Sequence, residues 1–459
     1  MAKYKAYQEY KDSGVEWLGN VPAEWLITEL KRYSWVKGGY AFPSDSFISF
    51  GEPVIRIGDI SQDGSINLEN CKYVSHALAK QSRSYTVRNG ELLMAMTGAT
   101  IGKAGFYECE FPALINQRVG LFKVLDKLMH YRFLWYTLKS YGYQEYIKLT
   151  AFGGAQPNIS DVGMVGYRTT VPSLQEQSRI ASFLDHETAK IDNLIEKQQQ
   201  LIELLKEKRQ AVISHAVTKG LNPDVPMKDS GVEWLGEVPA HWGVMPVKYV
   251  CALIKDGTHL PPPRVENGIP LLSVRNIIGG VFQFRDDDSQ ISHKDYKSLC
   301  SSFIPKKDDV LLAIVGATLG KVALVPEMDS FHIQRSLGVF RTNKLIHPQH
   351  LSYIFESKDF QNLLWENAGF SAQPGIYLGT LSNFCVPIPP VTEQLKISEF
   401  ITATVDKLDL LITQASKLIG LIQERRTALI SAAVTGKIDV RDWVAPETQD
   451  VEEPQEATA

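Results

Sequence analysis

A long internal repeat constrains this chain more than any other feature of its sequence. Lys11–Trp25 reads KDSGVEWLGNVPAEW and Lys228–Trp242 reads KDSGVEWLGEVPAHW, so thirteen of fifteen positions agree at an offset of 217. Shared landmarks continue to the motifs AVT at 216–218 and AVT at 433–435. A period of about half the chain indicates a tandem duplication rather than a short-period solenoid.

Each copy follows the same three-part plan: a Trp-rich opening segment, a globular module and a charged stretch of strong helix formers. The predicted boundaries are an opening segment at 1–25, module 1 at 26–173, a first long helix at 174–218, a linker with the second opening segment at 219–242, module 2 at 243–390, a second long helix at 391–436 and a C-terminal segment at 437–459. Between the landmarks the modules differ at most positions. Two related modules acting on different targets would diverge in this way, and so would two copies that drifted after duplication.

The modules have the sequence pattern of mixed α and β structure. Short apolar runs between turn residues, typical of strands, occur at 53–57, 91–96 and 310–315. The stretch 128–149, rich in aromatic residues and free of proline, predicts a helix, with a counterpart at 350–366.

A repeat of about 3.5 residues in the charged stretches predicts two coiled-coil helices. Its apolar positions include Ile180, Leu184, Ile191, Leu194, Leu201 and Leu205 in the first helix, and Ile397, Ile401, Leu408, Leu411, Leu418 and Ile422 in the second. Each helix would be roughly 60 Å long. Two copies of one unit favour a two-fold relation, so we expect the helices to pack antiparallel within one chain. A coiled coil that dimerises the protein is the alternative.

Composition permits DNA binding without indicating it. The net charge is −4, but the last fourteen residues carry five acidic groups and no Lys or Arg, so the rest of the chain sums to −4 + 5 = +1. The composition of this tail predicts disorder. Five widely spaced cysteines, no apolar leader and no apolar stretch of membrane-spanning length favour a cytoplasmic protein.

Catalytic motifs are missing from the sequence. The loops GATIGK (98–103) and GATLGK (316–321) are one residue short of a phosphate-binding loop, and no Ser or Thr follows the lysine. Such a loop could contact DNA phosphates, or it could be a tight turn between strands. We find no methyltransferase tetrapeptide, metal-ligand spacing or nucleophile elbow, and a duplicated enzyme should show its site twice.

If the modules read DNA, long polar side chains in the loops are the candidates for contacts to bases and phosphates. At an offset of 217, Gln117-Arg118 corresponds to Gln334-Arg335, although residues shared by both copies more often maintain the fold. The candidates are Arg56, Lys103, Gln117, Arg118, Gln156, Arg275, Lys321, Gln334, Arg335 and Gln373.

The ordered set of motifs resembles the specificity subunit of Type I restriction-modification systems. The set comprises the opening segment, GATxGK, AQPxI (155–159 and 372–376), PxxxEQ (172–177 and 389–394) and ISxAVT (213–218 and 430–435), and it occurs in order in both copies. Each motif is weak by itself, whereas the ordered set covers nearly the whole chain.

The resemblance implies an α+β fold: two mixed α/β target recognition domains separated by two long antiparallel coiled-coil helices, in a pseudo-two-fold tandem repeat. It implies a non-catalytic subunit that binds double-stranded DNA at a split, asymmetric site and docks two methyltransferase subunits and two restriction/translocase subunits. S-adenosylmethionine, ATP and Mg²⁺ would belong to those partners, and this chain would hold no cofactor or metal. The alternatives are a DNA-binding adaptor without a methyltransferase, an enzyme in its own right and a coiled-coil scaffold.

Overall fold

The computed structural model describes residues 4–154, 156–369 and 374–445. It divides into two compact units, one formed by the described residues up to Gln198 and from Lys417 onward, the other by Gln199–Ser416. Unit 1 therefore combines module 1 with the beginning of the first long helix and the end of the second. Unit 2 combines module 2 with the end of the first helix and the beginning of the second.

The first repeat contains twelve strands and five α-helices within its described residues. The strands are β1 (Tyr10–Asp12), β2 (Asn20–Pro22), β3 (Leu26–Glu29), β4 (Ser34–Gly38), β5 (Glu52–Ile55), β6 (Lys72–Val74), β7 (Thr86–Val87), β8 (Glu91–Ala95), β9 (Ala104–Tyr107), β10 (Ala113–Ile115), β11 (Val119–Val124) and β12 (Arg168–Val171). The helices are α1 (His76–Gln81), α2 (Tyr131–Lys139), α3 (Tyr141–Thr150), α4 (Asp161–Val165) and α5 (Leu174–Lys219). Module 1 is built on two four-stranded sheets, ordered β6-β5-β10-β7 and β4-β11-β8-β9.

The second repeat follows a related plan, again counted over its described residues. Its strands are β13 (Met227–Asp229), β14 (Glu237–Pro239), β15 (Gly243–Pro246), β16 (Cys251–Asp256), β17 (Arg264–Val265), β18 (Ile269–Leu272), β19 (Ile277–Ile278), β20 (Val281–Phe282), β21 (Gln290–Ile291), β22 (Val310–Ala313), β23 (Val322–Leu324), β24 (His332–Ile333), β25 (Leu337–Thr342) and β26 (Cys385–Ile388). Its helices are α6 (Val247–Val250), α7 (His293–Cys300), α8 (Pro348–Glu356), α9 (Lys358–Glu366), α10 (Leu378–Ser382) and α11 (Val391–Val434). The main sheets are ordered β16-β25-β22-β23-β20-β19 and β17-β21-β18-β24.

The strands predicted at 53–57, 91–96 and 310–315 are confirmed as β5, β8 and β22. Strand β8 is apolar on both faces because it separates two cores: Leu92 and Met94 belong to one buried cluster, whereas Leu93 and Ala95 belong to another. Strand β22 divides its residues between two clusters in the same alternating way. A strand buried on both faces gives a continuous apolar run instead of alternation.

The helices predicted at 128–149 and 350–366 are each two helices, so these predictions were wrong in detail. The first breaks at Ser140, whose backbone is extended (φ −66°, ψ 149°) and whose hydroxyl accepts a hydrogen bond from Tyr143 N. The second breaks at Ser357 (φ −61°, ψ 143°). In each unit a serine of a long helix accepts a hydrogen bond from the amide of the residue that follows the break. Ser431 Oγ accepts from Tyr141 N, and Ser214 Oγ accepts from Lys358 N, both at 2.9 Å.

The two long helices run antiparallel inside each unit. In unit 1 the guanidinium of Arg179 donates to Arg441 O beyond the end of α11, while Asp192 pairs with Arg426 at 2.8 Å. In unit 2, Arg209 pairs with Asp409 at 3.1 Å, and a Cβ on Gly220 would lie 3.5 Å from Glu393 Oε1. The predicted α+β tandem repeat with antiparallel long helices is confirmed. No helix in the described ranges combines the length and hydropathy needed to cross a bilayer.

The glutamine of the PxxxEQ motif joins the module to the first turn of its long helix. Gln177 is fully buried, its Nε2 donates to Leu128 O and Pro172 O at 3.0 Å, and its Oε1 accepts from His130 N at 2.8 Å. Gln394 makes the same three bonds, to Leu345 O, Pro389 O and His347 N. This shared motif therefore maintains the fold.

Candidate nucleic-acid interface

In module 1, candidate side chains lie at one sheet edge, directly after the ends of two parallel strands. Strands β5 and β10 pair in parallel, so Arg56 and Asn116 follow their carboxyl ends side by side. The Asn116 amide donates to Ile55 O at 2.9 Å, which fixes the loop Asn116–Arg118 beside Arg56. Arg118 and Gln117 are exposed and Arg56 is half-buried.

Two further loops are hydrogen-bonded to this edge. The Met96 amide donates to Arg118 O at 2.9 Å, and Met96 O accepts from Ile159 N at 3.0 Å. The Gly98 amide donates to Pro157 O at 2.8 Å. These bonds bring the GATIGK turn with Lys103 and the loop carrying exposed Gln156 to the loop of Gln117 and Arg118.

Module 2 repeats this arrangement. The Gln334 amide donates to Leu272 O at 2.9 Å, the Ile314 amide donates to Ser336 O at 2.9 Å, and the Gly316 amide donates to Pro374 O at 2.7 Å. Strands β18 and β24 are parallel, as β5 and β10 are. Gln373, predicted to contact DNA, lies outside the described residues.

The correspondence of Gln117-Arg118 with Gln334-Arg335 was wrong by one residue. Asn116 bridges Tyr40 and accepts from Val119 N, whereas Gln334 bridges Thr258 and accepts from Leu337 N. Asn116 is therefore the counterpart of Gln334, Gln117 of Arg335 and Arg118 of Ser336. The local offset is 218, as it already is for the GATxGK loops in the sequence. The exposed side chains at this edge thus differ between the modules: Gln117 and Arg118 are exposed in module 1, whereas only Arg335 is exposed in module 2.

The GATxGK segment is a tight hairpin turn in both modules. Gly98 and Gly102 have φ of +72° and +83°, and Gly316 and Gly320 have φ of +88° and +91°. Glycine adopts such angles without the steric penalty of a Cβ. The carboxamides of Gln144 and Gln361 donate to Gly102 O and Gly320 O at 3.1 and 2.8 Å, an anchoring role that the sequence prediction missed.

Glycine also permits the closest backbone approach at this edge. A Cβ on Gly39 would lie 2.1 Å from Asn116 O, and one on Gly257 would lie 2.3 Å from Gln334 O. The following residues, Tyr40 and Thr258, accept hydrogen bonds from the amides of Gln117 and Arg335 at 2.8 and 3.2 Å. Sequence reasoning missed this loop, although the Gly-Gly pair at 38–39 was a signal of close packing.

The edges are cationic and open to solvent. Lys321 and Arg335 are exposed, whereas Lys103 and Gln334 are half-buried. Among the described residues no carboxylate forms an ion pair with Lys103, Arg118, Lys321 or Arg335. Guanidinium and carboxamide groups in such positions can donate to guanine and adenine edges, and ammonium groups can donate to phosphates.

Unlike Lys103, Arg118, Lys321 and Arg335, Arg275 forms ion pairs with neighbouring carboxylates in the described part of the chain. Its guanidinium lies 3.2 Å from Asp287 Oδ2 and 3.3 Å from Asp288 Oδ1. The structure places it in the loop after β18, at the same edge as Gln334.

The apolar positions of the long helices are buried unevenly. Ile180, Leu184, Ile397 and Ile401 are fully buried against the modules, Leu408 is nearly so, and Ile191, Leu205 and Ile422 are half-buried. Toward the middle of the helices, exposed fractions are 51% and 42% for Leu194 and Leu201, and 47% and 42% for Leu411 and Leu418. A pair of helices covers only part of such a surface, so these leucines remain available for contacts.

No cluster of three or more His, Cys, Asp or Glu side chains in the described ranges could hold a metal ion. Burial lowers the pKa of His332, close to the edge of module 2, and its Nδ1 accepts from Ile333 N at 3.0 Å. This histidine therefore serves the core rather than a site.

Comparison with known proteins identifies a family. The family model for the Type I restriction modification DNA specificity domain matches residues 22–204 and 240–419. The specificity subunit of the Type I restriction enzyme EcoBI of Escherichia coli is 24% identical over 451 residues, covering 95% of this chain and 91% of that protein. The MjaIX specificity subunit of Methanocaldococcus jannaschii is 22% identical over 464 residues, covering 96% and 99%.

A solved structure shares the fold. A chain from a study of the assembly and conformational transition of a Type I restriction-modification system superposes with a TM-score of 0.69 at 15% identity. The match covers 91% of this chain and 99% of that chain.

Proposed function

Because the chain belongs to the family of the Type I restriction modification DNA specificity domain, we propose that it reads a bipartite, asymmetric DNA site for a Type I enzyme. Module 1 (26–173) and module 2 (243–390) each read one half of the site. The observation that carries the proposal is the pair of equivalent edges, in which one backbone frame exposes Gln117 and Arg118 in module 1 but only Arg335 in module 2, where the partly buried Ser336 replaces Arg118.

The candidate DNA contacts carry three kinds of group. The ammonium groups of Lys103 and Lys321 suit phosphates. The carboxamides and guanidinium groups suit base edges, and guanidinium groups suit phosphates as well; they belong to Arg56, Gln117, Arg118, Gln156, Arg275, Gln334, Arg335 and Gln373. Different side chains at equivalent positions predict different half-sites, because direct readout depends on the donors and acceptors offered.

The long helices (174–218 and 391–436 in the predicted boundaries) serve as the spacer and as the docking surface for two methyltransferase subunits. Restriction/translocase subunits join that complex. The half-exposed leucines at 194, 201, 411 and 418 support this role, since rows of large apolar side chains on a surface mark interaction sites.

This subunit performs no chemistry in the proposal. S-adenosylmethionine, ATP and Mg²⁺ act on the partner subunits, the complex is cytoplasmic, and the methylated base is adenine. Support comes from the sequence, which lacks catalytic motifs, and from family membership.

The direct test is to co-express the chain with the adenine methyltransferase encoded beside it and to map methylated adenines by long-read sequencing. We expect one bipartite motif with a fixed gap, methylated on both strands. A soluble complex that methylates no motif would contradict the proposal and favour a DNA-binding adaptor.

Two variants test the division of labour. Replacing 243–390 with the same region of a relative should change one half of the motif, and a change in both halves would refute the assignment of one module to one half. Lengthening both long helices by one heptad should widen the unread gap, and an unchanged gap would show that the helices do not set it.

A further inference from the structure

The loop after β18 in module 2 is held in one conformation by a buried asparagine. Asn276 is fully buried, its Oδ1 accepts from Ser273 N at 3.0 Å, and its Nδ2 donates to Gln283 O and to both carboxylate oxygens of Asp288. Leu271 N donates to Ser289 O at 2.9 Å, which ties the returning segment to β18. The segment 273–289 is thus anchored at the edge that presents Gln334.

Two guanidinium groups of this segment converge on one carboxylate. Arg275 Nη1 lies 3.2 Å from Asp287 Oδ2, and Arg285 Nε lies 2.9 Å from Asp287 Oδ1. Side-chain exposure is 44% for Arg275, 38% for Arg285 and 59% for Asp287, so all three face solvent. The hydrogen bond from Arg285 lowers the pKa of Asp287, which keeps its carboxylate charged.

The neighbouring Asp288 has a different role. Its side chain is only 6% exposed and accepts from Asn276 Nδ2 and from the Arg285 amide at 2.8 Å. Asp288 therefore holds the loop, whereas Asp287 is bound mainly through the two arginines. An exposed ion pair contributes at most about 1 kcal/mol, so a competing anion can displace Asp287 at low cost.

Module 1 has the same loop frame without the arginine. Arg56 N donates to Asp59 Oδ2 and Asn67 N donates to Asp59 O, as Ser273 N donates to Asn276 Oδ1 and Gln283 N donates to Asn276 O. Gly58 therefore occupies the position of Arg275. Module 1 forms this turn with glycine, so the turn itself does not require Arg275. In module 2 the Arg275 Nη2 donates to Asp287 O at 2.5 Å and lies 3.3 Å from Asp288 Oδ1, so its Nη2 faces the loop while its Nη1 faces the Asp287 carboxylate.

We propose that Arg275 and Arg285 form a binding site for one backbone phosphodiester of DNA, which Asp287 occupies in the free protein. Each arginine donates one hydrogen bond to the Asp287 carboxylate, and a phosphate can accept the same two charge-assisted bonds in its place. The site adjoins the edge of Gln334 and Arg335, so a phosphate bound there would hold the duplex against the base-reading loops. Asp287 competes with every duplex alike, and it therefore weakens non-specific binding as well as specific binding. This inference rests on the proposed function.

The test uses the full chain in complex with its methyltransferase subunit, a duplex carrying the mapped motif and a scrambled duplex of equal length. Dissociation constants are measured by fluorescence anisotropy across a series of KCl concentrations. We expect Asp287→Asn to tighten binding of both duplexes about five-fold and to steepen the salt slope by up to about one, because one more phosphate contact is made without competition.

Paired controls separate the site from general charge effects. Asp286→Asn removes an adjacent negative charge and should change the dissociation constants less than about two-fold, since a solvated charge is screened by salt. The double variant Arg275→Gln, Arg285→Gln should weaken binding of both duplexes and flatten the salt slope by about one. Thermal unfolding of each variant establishes that it is folded.

Equal or weaker binding by the Asp287→Asn complex, while the parent complex binds its motif, would overturn the inference and leave the proposed function intact. It would mean that Asp287 positions the arginines. A parent complex that binds neither duplex would overturn the proposed function, and this inference with it.

Discussion

The two units carry opposite charges at one equivalent position beside the paired long helices, where unit 1 has Lys139 and unit 2 has Glu356. In unit 1, Asp192 and Arg426 form an ion pair next to Lys139; in unit 2, Asp409 and Arg209 form the counterpart next to Glu356. Lys139 donates to Asp63 O and lies 4.2 Å from the centre of the Trp135 ring, whereas Glu356 lies 3.7 Å from Arg209.

The two repeats have therefore diverged in charge beside a shared ion pair. The ion pair that joins the two long helices is the same in both units, whereas the residue beside it has opposite charge in the two units.

Gln177→Leu and Gln394→Leu should be the most damaging substitutions, and equally so. Each leaves one buried carbonyl, one part-buried carbonyl and one part-buried amide without the glutamine partner, and each unsatisfied buried group costs about 1–3 kcal/mol. We expect each variant to lose about 4 kcal/mol of unfolding free energy in urea titrations. Gln175→Leu, at an exposed position, is the control. A large loss in one unit only would break the equivalence.

Gly39→Ala and Gly257→Ala should come next. The new Cβ meets backbone atoms that cannot move aside, and overpacking of this kind costs about 2–3 kcal/mol. Binding of DNA should weaken as well, because the displaced atoms belong to Asn116 and Gln334. Gly58→Ala and Gly379→Ala are controls, since a Cβ there has no neighbour within 4 Å. Unchanged melting and DNA binding would contradict the close approach.

Position 133 in unit 1 and its equivalent 350 in unit 2 should respond in opposite directions. Phe133 is buried, and His350 is buried with neither ring nitrogen hydrogen-bonded. Removing an unsatisfied polar group should let His350→Phe stabilise unit 2 by about 1 kcal/mol, whereas Phe133→His should destabilise unit 1 by about 2 kcal/mol. Destabilisation by both substitutions would indicate that His350 has a partner or a packing role.

The pH dependence at position 350 follows from burial. The pKa of His350 is lowered from 6.5 to about 3, mainly by burial of the imidazole and to a smaller extent by the charge of His347. Between these values the unfolded chain binds the proton and the folded chain does not, so stability falls as pH decreases below 6.5. In urea titrations from pH 7 to pH 5, the free energy of unfolding should fall less steeply for His350→Phe than for the parent protein. An unchanged slope would show that the imidazole is not held neutral.

Glu356 and Lys139 should produce the smallest effects, with opposite pH slopes. Burial, opposed by Arg209, raises the pKa of Glu356 from 4.5 to about 7, so folding binds a proton and stability falls as pH rises between these values. Burial and Arg426 lower the pKa of Lys139 from 10.5 to about 8, so stability rises from pH 8 to 10.5.

Glu356→Gln should flatten the pH dependence of stability only between pH 4.5 and 7, and Lys139→Met should flatten it only between pH 8 and 10.5. Because Glu356 is a quarter exposed, we expect Glu356→Gln to gain only about 1 kcal/mol at pH 8 relative to pH 5. Denaturation followed at several pH values measures the free energy of unfolding in both pH ranges. Equal slopes in parent and variant would assign the pH dependence to other groups.

Most of the fold could be predicted from the sequence because its signals are local or repeated. The apolar runs of β8 and β22 predicted strands, and the 3.5-residue repeat predicted the long helices. The breaks at Ser140 and Ser357 could not be read from propensity. Their flanks are good helix sequences, and the serines that accept from the next amides, Ser431 and Ser214, lie far away in the chain.

The candidate interface was less predictable because its residues lie in loops, whose course is not set by a repeating sequence pattern. A single offset misaligned Gln117 with Gln334, since the spacing between landmarks changes by one residue inside the module. Arg275 was identified as a candidate, but its pairing with Asp287 depends on the course that Asn276 imposes on the intervening hairpin. The base contacts of the remaining candidates stay predictions.

Unit 1 is built from two separate parts of the chain, and this has a consequence for gene truncation and recombination. Unit 1 contains Ile430, Ala433, Val434, Ile438 and Val440, all buried, from the last tenth of the chain. A stop codon in the second repeat would therefore strip the core of the first module, and the remaining half could recover it only from another copy's helix end. Recombination that exchanges modules between relatives must keep these helix ends matched to the module they complete, and not to the module that precedes them in the gene.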